Sequence, residues 1–291
     1  MRINPRHPSS NPLYWSASAV IGDAFVVKYA WSEVRATRLW REGVVLRRLR
    51  DLDVSLALPD VVALSREPAL LVTRLVPGEP LSWEWARTLS SAESEGIWRE
   101  LARFLSQLHG VDAAALLGDL PLVQPTPQAD TERLRQGFPR LVDERRGTAV
   151  LGWCRWVDEV LNRSEGGGAV LVHGDLHGYN QVWDGATSAL RAVVDFEESG
   201  IADSHFDLRY LPGITQGPEL LLSVMSAYQS LTGRTLDLER VLAWHVLTHL
   251  GDALWRTEAR VALPGGGTAA SWVDDLETRL ATFSRASRSP R

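Results

Sequence analysis

The stretch His173-Gly174-Asp175-Leu176-His177-Gly178-Tyr179-Asn180-Gln181-Val182-Trp183, followed after a turn by Leu190–Val194 and then by Asp195-Phe196-Glu197, decides how the rest of the chain is read. The apolar run Val170-Leu171-Val172 in front of it predicts a strand, and Gln181–Trp183 with Leu190–Val194 predicts a hairpin turning at Asp184–Ser188. An antiparallel hairpin brings its open ends together, so Asn180 is expected close to Asp195 although the two are distant in sequence. Hard cations such as magnesium take carboxylate, amide and phosphate oxygen and keep several waters, so few protein groups suffice to hold one. Asn180 and Asp195 fit as such ligands. A carboxylate not tied to the metal can orient a hydroxyl and accept its proton, the remaining task in phosphoryl transfer, and Asp175 fits that role.

Upstream, Leu13–Val20 and Ala24–Ala30 read as strands joined at Ile21-Gly22-Asp23, and the second strand carries Lys28. Ser32 can cap a helix on which Val34, Leu39, Val45, Leu46 and Leu49 recur at helical spacing through Arg50, with Glu42 on board. Of the 31 Lys+Arg residues only Lys28 is lysine. A lone ammonium in an arginine-rich chain marks a place where a planar guanidinium does not fit, although chance retention on a strand would read the same. Lys28 could hold nucleotide phosphates as a point charge, with Glu42 fixing its position. Strands at Val61–Leu64 and Ala69–Val76 follow, and Val76-Pro77-Gly78-Glu79-Pro80 punctuates the chain. The expected organisation is therefore a first lobe over residues 1–75, a hinge at 76–80 and a second lobe over 81–291.

The second lobe reads as mainly helical. Ser90 and Glu93 have capping-box spacing ahead of a helix to about His109, and further helical patterns cover about 131–145, 149–163, 203–212, 217–232, 237–262 and 271–286. Gly166-Gly167-Gly168 precedes a strand rather than opening a helix, so it reads as a connector and not a phosphate cradle, and Gly265-Gly266-Gly267 reads likewise. At 291 residues and 45% apolar content the chain is an ordinary globular one. It has no apolar run of the roughly 20 residues that would span a bilayer, and Met1–Pro12 is too polar for a signal peptide, so a cytoplasmic location without a membrane partner is expected. Cys154, the single cysteine, can form no internal disulfide and reads as a core residue. Residues 1–79 carry 11 basic and 8 acidic side chains and the remainder 20 and 28. The excess is thus +3 in the first part, suited to a polyphosphate, and −8 in the second, suited to a cationic small molecule, although surface solvation would give the same numbers. No basic cluster interleaved with aromatics suggests nucleic acid, and a monomer or homodimer acting on a small-molecule substrate is expected.

Taken together, H-x-D-x-x-x-x-N followed by D-F-E resembles the aminoglycoside phosphotransferase family, the small-molecule relatives of the protein kinases. The resemblance implies an α+β bilobal protein-kinase-like fold, with a small antiparallel-sheet N-lobe and a mainly helical C-lobe. It also implies ATP (or GTP) and Mg2+ as cofactors. On this resemblance Lys28 and Glu42 correspond to the family's strand lysine and helix glutamate, and Leu70–Gly78 to its interlobe hinge. The backbone near Thr73 and Leu75 would then meet the adenine. Ser9-Ser10-Asn11-Pro12 stands where a Gly-x-Gly-x-x-Gly loop would be and is similar to the serine-containing nucleotide loops of the small-molecule branch, which places Ser10 at the phosphates. Position 178 is glycine where proline is common. The implied acceptor is a hydroxyl of an aminoglycoside-type antibiotic, with choline-like, amino-acid, sugar or macrolide acceptors as alternatives. Two other readings of the residues compete. His173-x-Asp175-x-His177 could ligate zinc with His205 or Asp207 in a metal-dependent hydrolase, or the fold could be a pseudo-enzyme, although Lys28, Asp175, Asn180 and Asp195 are all present. His245 and His249, four apart on a helix, read as packing residues rather than a metal pair.

Overall fold

Branched and aromatic residues on either side of Gly22-Asp23-Ala24 pair Ile21 with Phe25 and Ser18 with Lys28, so the first hairpin forms in the register its apolar alternation favours. A computed structural model of the chain describes residues 2–5, 16–52, 54–163, 168–215 and 217–286. Its first elements are β1 (Arg2–Pro5), β2 (Ser16–Ile21), β3 (Phe25–Ala30), α1 (Glu33–Arg50), β4 (Val61–Arg66), β5 (Ala69–Arg74), β6 (Glu79–Pro80), α2 (Trp83–Ala86), α3 (Ser91–His109) and α4 (Ala113–Leu117). After these come α5 (Thr131–Gly137), α6 (Glu144–Leu161), β7 (Ala169–Val172), β8 (Gln181–Trp183), β9 (Leu190–Val193), β10 (Gly200–Asp203), α7 (Glu219–Thr232), α8 (Leu238–Ala259) and α9 (Ala269–Ala286).

The chain divides into two compact units. The first comprises Met1–Ser82, Leu89–Pro125 and Val170–Ala202. Within it a five-stranded sheet runs in the order β1-β2-β3-β5-β4, and β6, β8 and β9 form a smaller sheet. Ser32 caps α1 by accepting from the Arg35 N–H at 3.3 Å. The helix lays Leu39 and Ala36 on Ala30, Ala69, Leu71 and Leu64 of the sheet, burying its apolar side there. The capping box expected at the start of α3 is present, with the Ser90 N–H donating to Glu93 Oε2 at 2.7 Å and the Glu93 N–H to Ser90 Oγ at 3.3 Å.

The second unit comprises Trp83–Thr88, Thr126–Ala169 and Asp203–Arg291. Leu134, Val150, Val157, Leu250, Leu254, Val273 and Leu276 from α5, α6, α8 and α9 make its core, and Cys154 is fully buried among them with its thiol pushed up to about 11 by burial. The expected break between helices near residues 145–149 instead falls at 141–143. Pro139 closes a tight 3-10 turn at Phe138–Arg140, and Asp143 opens α6 by accepting from the Arg146 N–H at 3.0 Å. The segment read as a helix over 203–212 is a 3-10 run, Ser204–Gly213, which contains Pro212. Among the described residues no helix is long and apolar enough to cross a membrane.

His245 and His249 stand on the buried side of α8. Arg279 Nη1 lies 2.9 Å from His245 Nε2, and a guanidinium only donates, so Nε2 accepts. The proton is then on Nδ1, which donates to the Arg209 carbonyl at 2.7 Å. The His249 ring stacks on Trp272 at 4.5 Å and its Nε2 donates to the Trp272 carbonyl at 3.1 Å. Both imidazoles are therefore neutral packing groups, as their helical spacing suggests. Burial, reinforced by the Arg279 charge, pushes both below the usual histidine range, His249 to about 3. An unfolded histidine titrates near 6.5, so below that pH the unfolded chain binds protons that the folded one refuses, and stability present above about 6.5 is lost as pH falls toward about 3. Urea midpoints for the wild type should fall between pH 7 and 4.5, and His249→Gln should show a smaller fall. Identical slopes for the two proteins would rule His249 out as a source of acid sensitivity.

Candidate functional site

Lys28 lies on β3 opposite Ser18 of β2 and Leu71 of β5, so its direction is set by strands on both sides. Its Nζ is 2.7 and 2.9 Å from the two carboxylate oxygens of Glu42 on α1 and 2.9 Å from Asp195 Oδ1. Burial alone would lower the ammonium's affinity for its proton, but Asp195, Glu42 and Glu197 outweigh that and hold Lys28 above the ordinary lysine range. Asp195 sits just beyond the β8–β9 hairpin at φ 72°, ψ 56°. This is the left-handed region, which costs a non-glycine residue of order 1 kcal/mol and points to a position held for its side chain.

What holds it is local. The Val194 N–H donates to the Asn180 carbonyl at 2.9 Å, closing the hairpin where the register predicts. Phe196 is fully buried against His173, edge to face at 4.5 Å. His173 accepts from the Asp175 N–H at Nδ1, 3.1 Å, and donates from Nε2 to the Val194 carbonyl at 3.0 Å, tying the loop at 175 to the strand before Asp195.

Asn180 donates its amide to the Asp175 carbonyl at 2.8 Å and lies 3.4 Å from Asp175 Oδ2, while His177 Nε2 is 3.5 Å from that same oxygen. With the amide nitrogen of Asn180 turned to Asp175, its oxygen is the end left to serve as a ligand. Gly178 explains its departure from the common proline. A Cβ there would stand 2.1 Å from the Leu81 carbonyl oxygen, and the Leu81 N–H donates to the Gly178 carbonyl at 3.1 Å. Gly174 has φ +87° and its Cβ would meet the Glu198 carbonyl at 2.3 Å, so both glycines permit backbone approaches no side chain would allow.

Of the residues singled out in the sequence, Lys28, Glu42 and Asp195 are brought into one ion-pair cluster, and Asp175 and Asn180 into one loop joined to it through the hairpin backbone. Thr73 is buried within β5 opposite Val26 and Val61, and the Leu75 N–H donates to the Ala24 carbonyl at 2.8 Å, so of Leu75's backbone groups the carbonyl is the one turned elsewhere. Ser10 lies outside the described residues. The zinc reading fails on geometry, because both ring nitrogens of His173 are committed as above. His205 is spent in the same way, with Nδ1 2.6 Å from Asp203 Oδ1 and Nε2 accepting from the Asp237 N–H at 2.8 Å.

The sequence reading missed Arg35 and gave Glu197 no role. Arg35 Nη1 is 2.6 Å from Glu197 Oε2, and both side chains are buried. Arg38 pairs with Glu198. The signal was available: Arg35, Arg38 and Glu42 follow one another at steps of three and four, one face of a helix. Glu42, Asp195 and Glu197 offer oxygens all within 4.8 Å of one another. Three carboxylates thus face two cations, Lys28 and Arg35; Glu42 is bonded through both oxygens to Lys28 and Glu197 is paired with Arg35, so of the three it is Asp195 whose hard oxygen donors suit the magnesium role given to it with Asn180. Burial first, and then Asp195, pushes the Glu197 carboxyl up to about 7.

A model of the phosphotransferase enzyme family matches residues 5–257. The chain is 30% identical over 221 residues to viomycin phosphotransferase of Streptomyces vinaceus, covering 71% of this chain and 73% of that one. Among solved structures it superposes on an aminoglycoside phosphotransferase in complex with GDP and kanamycin with a TM-score of 0.74 at 16% identity, over 98% of this chain and 93% of that one. A ternary complex of streptomycin, ATP and an aminoglycoside phosphotransferase gives a TM-score of 0.60 at 18% identity, over 97% and 92%. These likenesses define the fold as the α+β, protein-kinase-like one expected, with an antiparallel-sheet N-terminal region and a mostly helical remainder. The chain belongs to the phosphotransferase enzyme family.

The Arg35–Glu197 pair generates a prediction. Removing the cation of a buried pair strands the carboxylate, so Arg35→Met should cost about 3 kcal/mol at pH 8.5. Glu197 is raised from an unfolded value near 4.3 to about 7, so the folded chain binds the extra proton as pH falls through 7, and the cost of Arg35→Met should shrink at pH 6. Denaturant unfolding at the two pH values measures this; a cost that grows on acidification would show that Glu197 is not the stranded group.

Proposed function

We propose that the chain transfers the γ-phosphoryl group of ATP, or of GTP, to a hydroxyl of a small cationic antibiotic. The observation that carries this reading is the Lys28 ammonium held by Glu42 at 2.7 Å and by Asp195 at 2.9 Å, in a member of a phosphotransferase family. Residues 1–75 serve the nucleotide, residues 76–80 are the hinge, and 81–291 supply the loop and the acceptor side. Lys28 holds the phosphates, with Glu42 fixing its direction. The backbone near Thr73 and Leu75 lies at the base. Asn180 and Asp195 hold magnesium, which when bound neutralises charge on the phosphate oxygens. Asp175 orients the acceptor hydroxyl and takes its proton; the Asn180 and His177 contacts to Oδ2 keep its carboxylate in one orientation. The likeness to viomycin phosphotransferase and to kanamycin- and streptomycin-bound structures supports an antibiotic acceptor, as does the −8 charge of residues 80–291.

The test is ADP release with ATP and magnesium against viomycin, aminoglycosides, macrolides and metabolite alcohols. Turnover is expected with viomycin or an aminoglycoside; turnover on a metabolite alcohol alone would overturn the antibiotic assignment, and ADP release with no acceptor in the panel would overturn the reading as a whole. Asp175→Asn should fold, bind nucleotide and lose about 100-fold or more in turnover. Near-wild-type rates would remove Asp175 as the base. Lys28→Arg should lose at least about tenfold, because a guanidinium is wider than the ammonium its two carboxylates enclose; an unimpaired variant would show that the compact charge is dispensable.

A further inference from the structure

Arg35 reaches the turn that follows Asp195, and it does so from the same helix that supplies Glu42. The turn is a 3-10 one, Phe196–Glu198, and each residue after Phe196 meets an arginine of α1. Arg35 Nη1 is 2.6 Å from Glu197 Oε2, Arg38 pairs with Glu198, and Arg41 Nη1 donates to Ser199 Oγ at 3.2 Å. Steps of three along a helix keep side chains near one face, so the three contacts fix the register of helix on turn. They differ in their surroundings. The Arg38 and Glu198 side chains are 27% and 30% exposed, so water can take the place of either partner. Those of Arg35 and Glu197 are 10% exposed each, and neither charge has such a substitute. Arg35 also donates Nε to Ser16 Oγ at 3.0 Å, at the first residue of β2, so its planar fork is held from two sides.

Glu197 stands where its charge bears on the phosphate-holding group. It offers an oxygen within 4.8 Å of oxygens of Glu42 and Asp195, the two carboxylates that Lys28 Nζ bonds at 2.7 and 2.9 Å. Left without a cation of its own, Glu197 would compete with both for the one ammonium and would repel Asp195. Paired with Arg35, it leaves Lys28 to them. The helix thus grips the turn at two points, from Glu42 through Lys28 to Asp195 and from Arg35 to Glu197. These anchors are about two helical turns apart on α1 and bracket the left-handed backbone at Asp195, where one anchor alone would leave the turn free to pivot. We propose that Arg35 is a positioning residue of the nucleotide site: by occupying Glu197 it reserves Lys28 for Glu42 and Asp195 and holds Asp195 in the turn from which it meets magnesium. Arg35 touches no reacting atom and acts through Glu197. The proposal rests on the reading of Lys28 and Asp195 as the groups that serve the phosphates and the metal.

Binding of a fluorescent ATP analogue to the full chain, measured across magnesium concentrations without an acceptor, tests it. A loss of folded protein lowers the amplitude of such a titration and leaves its magnesium midpoint in place, so the midpoint separates positioning from stability. Groups that orient a metal ligand typically account for about 10- to 100-fold in metal affinity, and Arg35→Met should raise the midpoint by at least about tenfold. Arg35→Lys, which keeps a cation beside Glu197, should stay within about threefold of the wild type, and Arg35→Met combined with Glu197→Gln, which removes both charges, should recover most of the loss. Arg38→Met, which breaks the more exposed neighbouring pair, should leave the midpoint unchanged. A wild-type midpoint in Arg35→Met would overturn the proposal, and so would a double variant as impaired as the single one, because Glu197 would then not be the group that Arg35 restrains. Should Arg35→Met fail to fold, the double variant decides: a midpoint near that of the wild type supports the proposal and a rise of about tenfold overturns it. Absence of magnesium-dependent binding in the wild type would instead remove the underlying nucleotide reading, and this proposal with it.

Discussion

The contact on which the remaining arrangement depends is the one between the Lys28 ammonium and the carboxylates of Glu42 and Asp195. It is the one described contact in which three pieces of chain meet at a single atom: a strand in the middle of a sheet, the helix that covers it, and the turn after a distant hairpin. Each is fixed by its own rules. The strand is set by its ladder, the helix by its cap and its apolar side, and the turn by the hairpin closure and the wedge of Phe196 against His173. The ion pair is where those independent rules must coincide, which is why a small displacement in any of them reaches the same place.

A buried pair of this kind contributes orientation more than stability, because the cost of removing the charges from water offsets most of their attraction. The surroundings are biased accordingly. On the inner face of α1 the carboxylates outnumber the cations, and Glu197 responds by holding its proton to about 7. Arg41, buried on the same helix, bonds the Pro121 carbonyl and Ser199 Oγ rather than a carboxylate. The arginines at positions 35, 38 and 41 of the helix thus meet Glu197, Glu198 and Ser199 of a single turn in order.

Much of this could be read from residue order. The hairpin at 181–194, the placement of Lys28 on a strand and Glu42 on the following helix, and the capped start of α3 follow from local patterns whose physics is short-range. The break between α5 and α6 was misplaced because apolar spacing runs through the gap, while the decisive features are one proline and one capping aspartate. Arg35 with Glu197 escaped notice because charged residues on a helix are usually solvated, and only the packing of α1 against the turn at 196–198 shows that these two are not. The reason for glycine at 178 could not be read at all, since it lies in the carbonyl of Leu81, far away in sequence.

The scarcity of lysine has one more implication. With every other basic side chain a guanidinium, the folded chain carries a single ε-amine, and that amine sits 23% exposed between two carboxylates. Apart from the amino terminus, an amine-selective reagent has one address on this protein. Chemistry that elsewhere reports a blurred average over many surface groups becomes here a reading of one atom, and the rate at which that atom is modified is a direct gauge of how tightly its neighbours hold it.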